Sequence, residues 1–273
     1  MMSTLLFDSH AHYFDRRFTD CADRILSEEI FGNGVGHVVN VGTNPKNSRI
    51  AIEMSKDYAG MYATVGIHPE DLQLYGEDPD KMISEIEALI SDADMRRKNK
   101  IVALGEIGLD YHEWADGGFI PDRMLQKEYF SRQLSLAEKY DMKVVVHDRE
   151  AHGDCFETVL RFPNVTGVFH SYSGSAEMAR ELMRRGWYIS FSGVVTFKNA
   201  ERVREVVKGI DLDKLLIETD APYLAPHPFR GQMNHSGLMR YTAEAIAAVK
   251  ELQTEDIIRI TTENAIRFFG ISE

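Results

Sequence analysis

The chain has 273 residues, 44% hydrophobic and 27% charged, an ordinary globular composition with room for a large core that needs no disulfides. Its formal charge of −12 argues against broad, nonspecific duplex binding, which draws on many Lys and Arg contacts to phosphate, but not against a nucleic acid gripped locally by a metal cluster. Cys21 and Cys155 lie in no CxxC pair and suit a reducing compartment; the opening MMSTLLFDSHAH lacks the basic start and apolar core of a signal peptide, and no run reaches the roughly 18 apolar residues of a membrane span, so a cytoplasmic protein is expected, with neither membrane nor obligate protein partner.

Strand-like runs, rich in Val, Ile, Leu and Phe with little polar alternation, fall at Leu5–Ser9, His37–Gly42, Tyr62–Ile67, Ile101–Ile107, Lys143–Asp148, Gly167–Ser171, Trp187–Ser192 and Leu215–Thr219. Such runs suit strands buried on both faces of a parallel sheet. Between them, Asp80–Ile90 sets Met82, Ile83, Ile86, Leu89 and Ile90 at helical spacing, and Gln126–Tyr140 does so with Phe130, Leu134, Leu136 and Ala137. Ser175–Arg185 and Ala200–Val207 are shorter helical stretches, and charge-rich Asp92–Lys100 reads as a solvated connection. Met239–Phe269 reads as two helices parted near Gln253–Glu255, with Thr254 as the cap of the second. Eight strands, each followed by a helical stretch, predict an α/β fold, a TIM (β/α)8 barrel forming one domain over 1–273. An open doubly wound sheet is the alternative.

In a barrel, functional groups gather at the C-terminal ends of the strands. Those ends read Asp8-Ser9-His10-Ala11-His12, Gly66-Ile67-His68-Pro69, Gly105-Glu106-Ile107-Gly108-Leu109-Asp110, Val146-His147-Asp148-Arg149, Phe169-His170-Ser171 and Glu218-Thr219-Asp220-Ala221-Pro222. Two-residue spacing lets His10 and His12 point the same way from one strand. Singly, each residue has an ordinary explanation: a hydrogen-bonded histidine, a paired core carboxylate, a turn cap. Together, four imidazoles and two carboxylates in one mouth are costly to bury unless something pairs with them, and divalent cations do so. Six ligands exceed the three or four of one catalytic zinc and suit two ions about 3.5–4 Å apart. Glu106 is the natural bridge, with His10, His12 and Asp220 on one ion and His147 and His170 on the other. Two divalent ions against two carboxylates leave roughly +2, which favours an anionic substrate such as a phosphate ester. The ligand types admit zinc, manganese, magnesium, iron, cobalt or nickel.

The segments FDSHAH, VGIHPE, ALGEIGLDY, VVVHDREAHGD, FHSYSGS and LLIETDAPYLAP resemble, in order and along nearly the whole chain, the TatD family of metal-dependent deoxyribonucleases. The resemblance implies an amidohydrolase-like TIM barrel and divalent-metal-dependent hydrolysis of DNA, with 3′–5′ exonuclease action on single strands or 3′ ends. The family's metal ligands fall on the six positions named above. One stretch departs: after PHPFRG, similar proteins carry a basic residue, an Asn and an acidic or amide residue, whereas here Gln232-Met233-Asn234-His235 follows.

Metal-activated water is the expected nucleophile, with Asp220 orienting it and serving as general base; Glu106 and His68 complete the catalytic candidates. His68 and Arg149 are the candidate phosphate contacts, their ordinary alternatives being packing on Pro69 and a salt bridge to Asp148 or Glu150. Glu218 could support a ligand from behind or form a buried ion pair. Tyr111, Trp114 and Phe197 could stack bases or simply pack, and His152 and Lys198 are weaker phosphate candidates. His37, His112, His227 and His235 receive no role. Two other functions stay open: an amidohydrolase-like enzyme acting on a small amide, lactone or phosphoester, and a metal-binding scaffold without turnover. Such hydrolases often bridge their metals with a modified Lys, where this chain has Glu106.

Overall fold

The computed structural model describes residues 5–74 and 76–271. Positions 1–4, 75, 272 and 273 of the expected domain, including the first part of the segment compared with a signal peptide, lie outside the described residues. Eight strands, β1 (Leu6–Ala11), β2 (Val35–Val41), β3 (Met61–Val65), β4 (Ile101–Asp110), β5 (Val144–Arg149), β6 (Gly167–Phe169), β7 (Tyr188–Phe191) and β8 (Leu215–Ile217), pair in parallel with their neighbours in sequence. The sheet curls until β1 meets the chain beyond β8 through a bridge between Ala11 and Ala221. There Asp220 N donates to His10 O at 2.9 Å and His12 N to Ala221 O at 2.7 Å. The result is a nearly closed TIM barrel, not an open doubly wound sheet. Among the described residues, no helix is long and apolar enough to cross a membrane.

Asp8 latches this seam. Its carboxylate accepts from Thr219 N (3.0 Å), Thr219 Oγ1 (2.6 Å), Ser236 Oγ (2.6 Å) and His10 N (3.2 Å). Burial pushes its pKa up to about 6 against the pull of those donors. Between β4 and β5, Gly108 has φ of +146°, and a Cβ there would lie 2.0 Å from His147 O. Only glycine lets the two strands approach so closely at the level of the centre.

Helices cover the barrel. Pro45–Asp57 starts from the Asn44 cap with proline in its first turn, and Arg123–Lys139 starts from Asp122, which accepts from two backbone amides. The C-terminal helix Thr254–Phe269 stacks Phe269 on Phe7 of β1 at 5.8 Å and sets Phe268 against Tyr188 of β7 at 5.0 Å. Several expectations change. The connection Asp92–Lys100 contains a helix, Ala93–Lys98, capped by Asp92. The cap of the last helix is Gln253, with Thr254 already inside it. Helices Pro45–Asp57 and His152–Leu160 were expected only as unbounded helical stretches; the buried face of the first mixes Ser48 and Ser55 with Ala51 and Ile52. β4 runs past the expected Ile107 to Asp110, whereas β6 stops at Phe169, leaving His170 and Ser171 outside it, and β8 stops at Ile217, short of the expected Thr219.

Candidate metal centre

All six predicted ligands meet at the C-terminal mouth. His10 lies in β1, His12 just past it, Glu106 in β4, His147 in β5, His170 one residue beyond β6, and Asp220 in the turn after β8. That turn is strained: Asp220 has φ of +57°, a conformation a non-glycine residue holds only when its surroundings impose it. Asn234, fully buried, imposes it in part by donating to Thr219 O (2.9 Å) and Tyr223 O (2.8 Å) on either side. The atypical 232–235 stretch therefore braces a ligand turn. Met233 packs on the core and His235 Nε2 lies 3.8 Å from Glu29.

Glu106 divides the cluster. Its Oε2 faces His10 Nε2 (3.4 Å) and His12 Nε2 (3.6 Å), and Asp220 Oδ1 closes that side, 3.8 Å from His10 Nε2 and 3.4 Å from His12 Nε2. Its Oε1 faces His147 Nδ1 and His170 Nε2, each at 2.8 Å.

The far nitrogens fix what the near ones offer. His12 Nδ1 is 2.8 Å from Val41 O and must donate there, which leaves the Nε2 lone pair aimed inward. His170 Nδ1 meets Glu218 Oε1 at 3.2 Å, and His147 Nε2 meets Asp110 Oδ2 at 3.0 Å, turning His170 Nε2 and His147 Nδ1 inward in the same way. His10 Nδ1 has no partner among the described residues. His10 Nε2 and His12 Nε2 are only 3.1 Å apart. Lone pairs and carboxylate oxygens cannot satisfy one another, so a donor set of this kind fits divalent cations, with carboxylate and carbonyl supports behind the imidazoles.

Where no cation binds, protons fill that role. Burial disfavours the His147 imidazolium, but Asp110 and Glu106 outweigh it and raise its pKa to about 9. His170 is raised well above its usual value against burial by Glu106 and Glu218. Burial likewise opposes ionisation of Glu106 and Asp220. The surrounding imidazoles, led by His170 for Glu106 and by His12 for Asp220, nonetheless hold both carboxyls below their usual range.

His68 packs its ring 4.3 Å from that of His147. Its Nδ1 accepts from Glu70 N at 3.2 Å, so Nε2 carries the proton and points toward Glu106 Oε1 at 3.8 Å. Burial and then His147 push its pKa down to about 3, leaving a neutral donor. Donor atoms of His68, Asp110 and His147 also lie within 4.8 Å of one another. Arg149 is half exposed and reaches Asp110 Oδ2 at 3.8 Å, not Asp148 or Glu150 as its ordinary alternative supposed. His152 pairs with Asp148 at 2.8 Å and His112 with Glu150 at 2.7 Å. The Tyr111 hydroxyl donates to Asp154, with Arg123 over its ring, and Trp114 donates to Glu70 at 3.1 Å. Phe197 lies under Arg230, while Lys198 is exposed. The sequence reading missed Asp110 as a partner of His147. The signal was present, since Asp110 lies four residues after Glu106 on one strand and so shares its face.

A profile of the family described as TatD related DNase matches residues 7–270. Among curated relatives, the uncharacterized metal-dependent hydrolase YabD of Bacillus subtilis is 40% identical over 271 residues, covering 98% of this chain and all of that one. The uncharacterized metal-dependent hydrolase TatD of Mycobacterium tuberculosis is 33% identical, covering 97% of this chain and 98% of that one. Among solved structures, the Escherichia coli TatD homolog YJJV superposes with a TM-score of 0.87 at 26% identity over the whole of both chains.

Proposed function

The chain belongs to the TatD related DNase family of metal-dependent hydrolases, and from that premise we propose that it uses two divalent cations to cleave phosphodiester bonds of DNA, from the 3′ ends of single strands, in the cytoplasm. The observation that carries this reading is the division of donors by Glu106, with His10 and His12 facing one carboxylate oxygen, Asp220 closing that side against both imidazoles, and His147 and His170 facing the other oxygen. Bound there, such cations make water acidic and neutralise charge on the phosphoryl oxygens.

The chain's own groups then have distinct tasks. Glu106 is shared between the two sides and keeps them in register. Asp220, held ionised by His12, His10 and His170, orients the attacking water and takes its proton on the carboxylate. His68 is neutral with its proton on Nε2 and donates to a phosphoryl oxygen as charge builds there. Arg149 stands half exposed beside Asp110, where its guanidinium meets a phosphate.

The test is a metal panel of zinc, manganese, magnesium, iron, cobalt and nickel, each with a chelator control, on 3′- and 5′-labelled single strands. Nucleotides should leave from the 3′ end, cleavage should stop with chelator, and Glu106→Ala should lose activity at least ~10³-fold while staying folded. A metal-replete wild type that leaves DNA intact but opens a small amide, lactone or phosphoester would replace the nuclease reading with the amidohydrolase-like one. Metal binding with no turnover of any of these would leave a scaffold.

A further inference from the structure

Two guanidinium groups lie over aromatic rings among the segments that follow β1, β7 and β8. Arg17 Cζ is 3.9 Å from the centre of the Tyr223 ring, and Arg230 Cζ is 3.6 Å from that of Phe197. The Tyr223 ring stands edge-on to the His12 ring at 6.5 Å, so the first pair borders the metal centre. The second is tied to the first, because Tyr223 and Arg230 share the loop after β8, and His227 N in that loop donates to Thr196 Oγ1 beyond β7 at 2.8 Å. Asp15 takes Arg17 Nε and Nη2 at 3.0 and 3.1 Å and the Tyr223 hydroxyl at 3.2 Å. The fold has thus already immobilised a side chain that would otherwise lose rotamer freedom on binding. Yet 41% of the Arg17 side chain is exposed, as is 46% of the Tyr223 residue as a whole, so the pair is fixed without being covered.

The two arginines differ in what they leave open. Asp15 offsets the charge of Arg17 and occupies one edge of its fork, leaving chiefly the outer face, which suits a nucleobase. Among the described residues Arg230 has no carboxylate partner, so its charge and edge remain for a phosphate oxygen. On a chain of net charge −12, such planes beside the centre are not explained by a generally basic surface.

Resting on the nuclease reading above, we propose that the β7–β8–β1 sector of the mouth is a track for one nucleic-acid strand, on which Arg17 stacks a base next to the scissile bond and Arg230 holds a backbone phosphate.

The test uses the metal-loaded full chain and a fluorescein-labelled, hydrolysis-resistant phosphorothioate oligothymidylate, read by anisotropy across a salt series. Arg17→Ala should raise Kd about fivefold or more with the salt slope unchanged, and Arg17→Lys, which keeps charge but not the plane, should not restore it. Arg230→Ala should weaken binding and flatten the slope by about 0.7. In turnover, Arg17→Ala should lose more on an unmodified oligonucleotide than on bis(p-nitrophenyl) phosphate. Wild type that fails to bind the strand, variants with unchanged Kd, or equal losses on both substrates would overturn the track. Wild type that binds through Arg17 yet never cleaves DNA would instead sink the nuclease reading and keep the track.

Discussion

Asp110 touches none of the inward-facing ligand atoms, yet it decides what His147 offers. By accepting at 3.0 Å from His147 Nε2 it turns Nδ1 toward Glu106. Asp110→Asn keeps the shape and removes the charge; metal affinity should fall about 10- to 100-fold, read as a binding isotherm with the fold intact. An unchanged isotherm would mean that the carboxylate merely packs there. The same pair predicts a pH effect. Burial lowers the His147 pKa, but Asp110 and Glu106 outweigh it and lift it to about 9 in the metal-free protein. At neutral pH the ring is therefore protonated, and a cation that needs its lone pair must expel that proton. Uptake should release protons at pH 7, and apparent affinity should weaken as pH falls. Calorimetry in two buffers of different ionisation heat checks this; equal heats in both would contradict it.

β1 and β8 lack the continuous ladder that joins the other neighbouring strands, and side chains supply the closure. Asp8 gathers the Thr219 and Ser236 hydroxyls and two backbone amides, and the Asp220 turn hangs from the same seam through His10 O. Asp8→Ala would strand buried donors and should destabilise the fold by about 3 kcal/mol, lowering Tm by about 6–12 °C at this chain length. Differential scanning calorimetry reads it, and a shift within a degree would show that the seam does not depend on the carboxylate.

Across the molecule, the centre draws on β1, β4, β5 and the turns after β6 and β8. Unfolding scatters these donors, so a bound cation stabilises only the native barrel. At free metal about 100 times its Kd that linkage is worth about 2.7 kcal/mol, or about 5–11 °C in Tm. Chelation should lower Tm by this amount and metal should restore it. Loss of metal with no change in Tm would show that the donors are held together by the strands alone.

Local pattern determined much of this protein. Runs of Val, Ile and Leu separated by helical stretches specify parallel strands and crossovers, because such strands are buried on both faces. The two-residue step between His10 and His12, with ionisable residues at the same end of six strands, marks the mouth of the barrel as the place for a metal centre. Helix Pro45–Asp57 was harder to see because its buried face mixes Ser48 and Ser55 with Ala51 and Ile52, and its start is set by the Asn44 cap and proline. Only the tertiary structure decided which atoms face which. Which Glu106 oxygen faces which donor group, the Asp110 support behind His147, the choice of His170 as the ligand that Glu218 backs, and the Arg17 guanidinium over Tyr223 join residues up to 210 positions apart. Such pairings depend on how closely strands and loops approach, as at Gly108 against His147 O, and no single segment carries that distance in its own sequence.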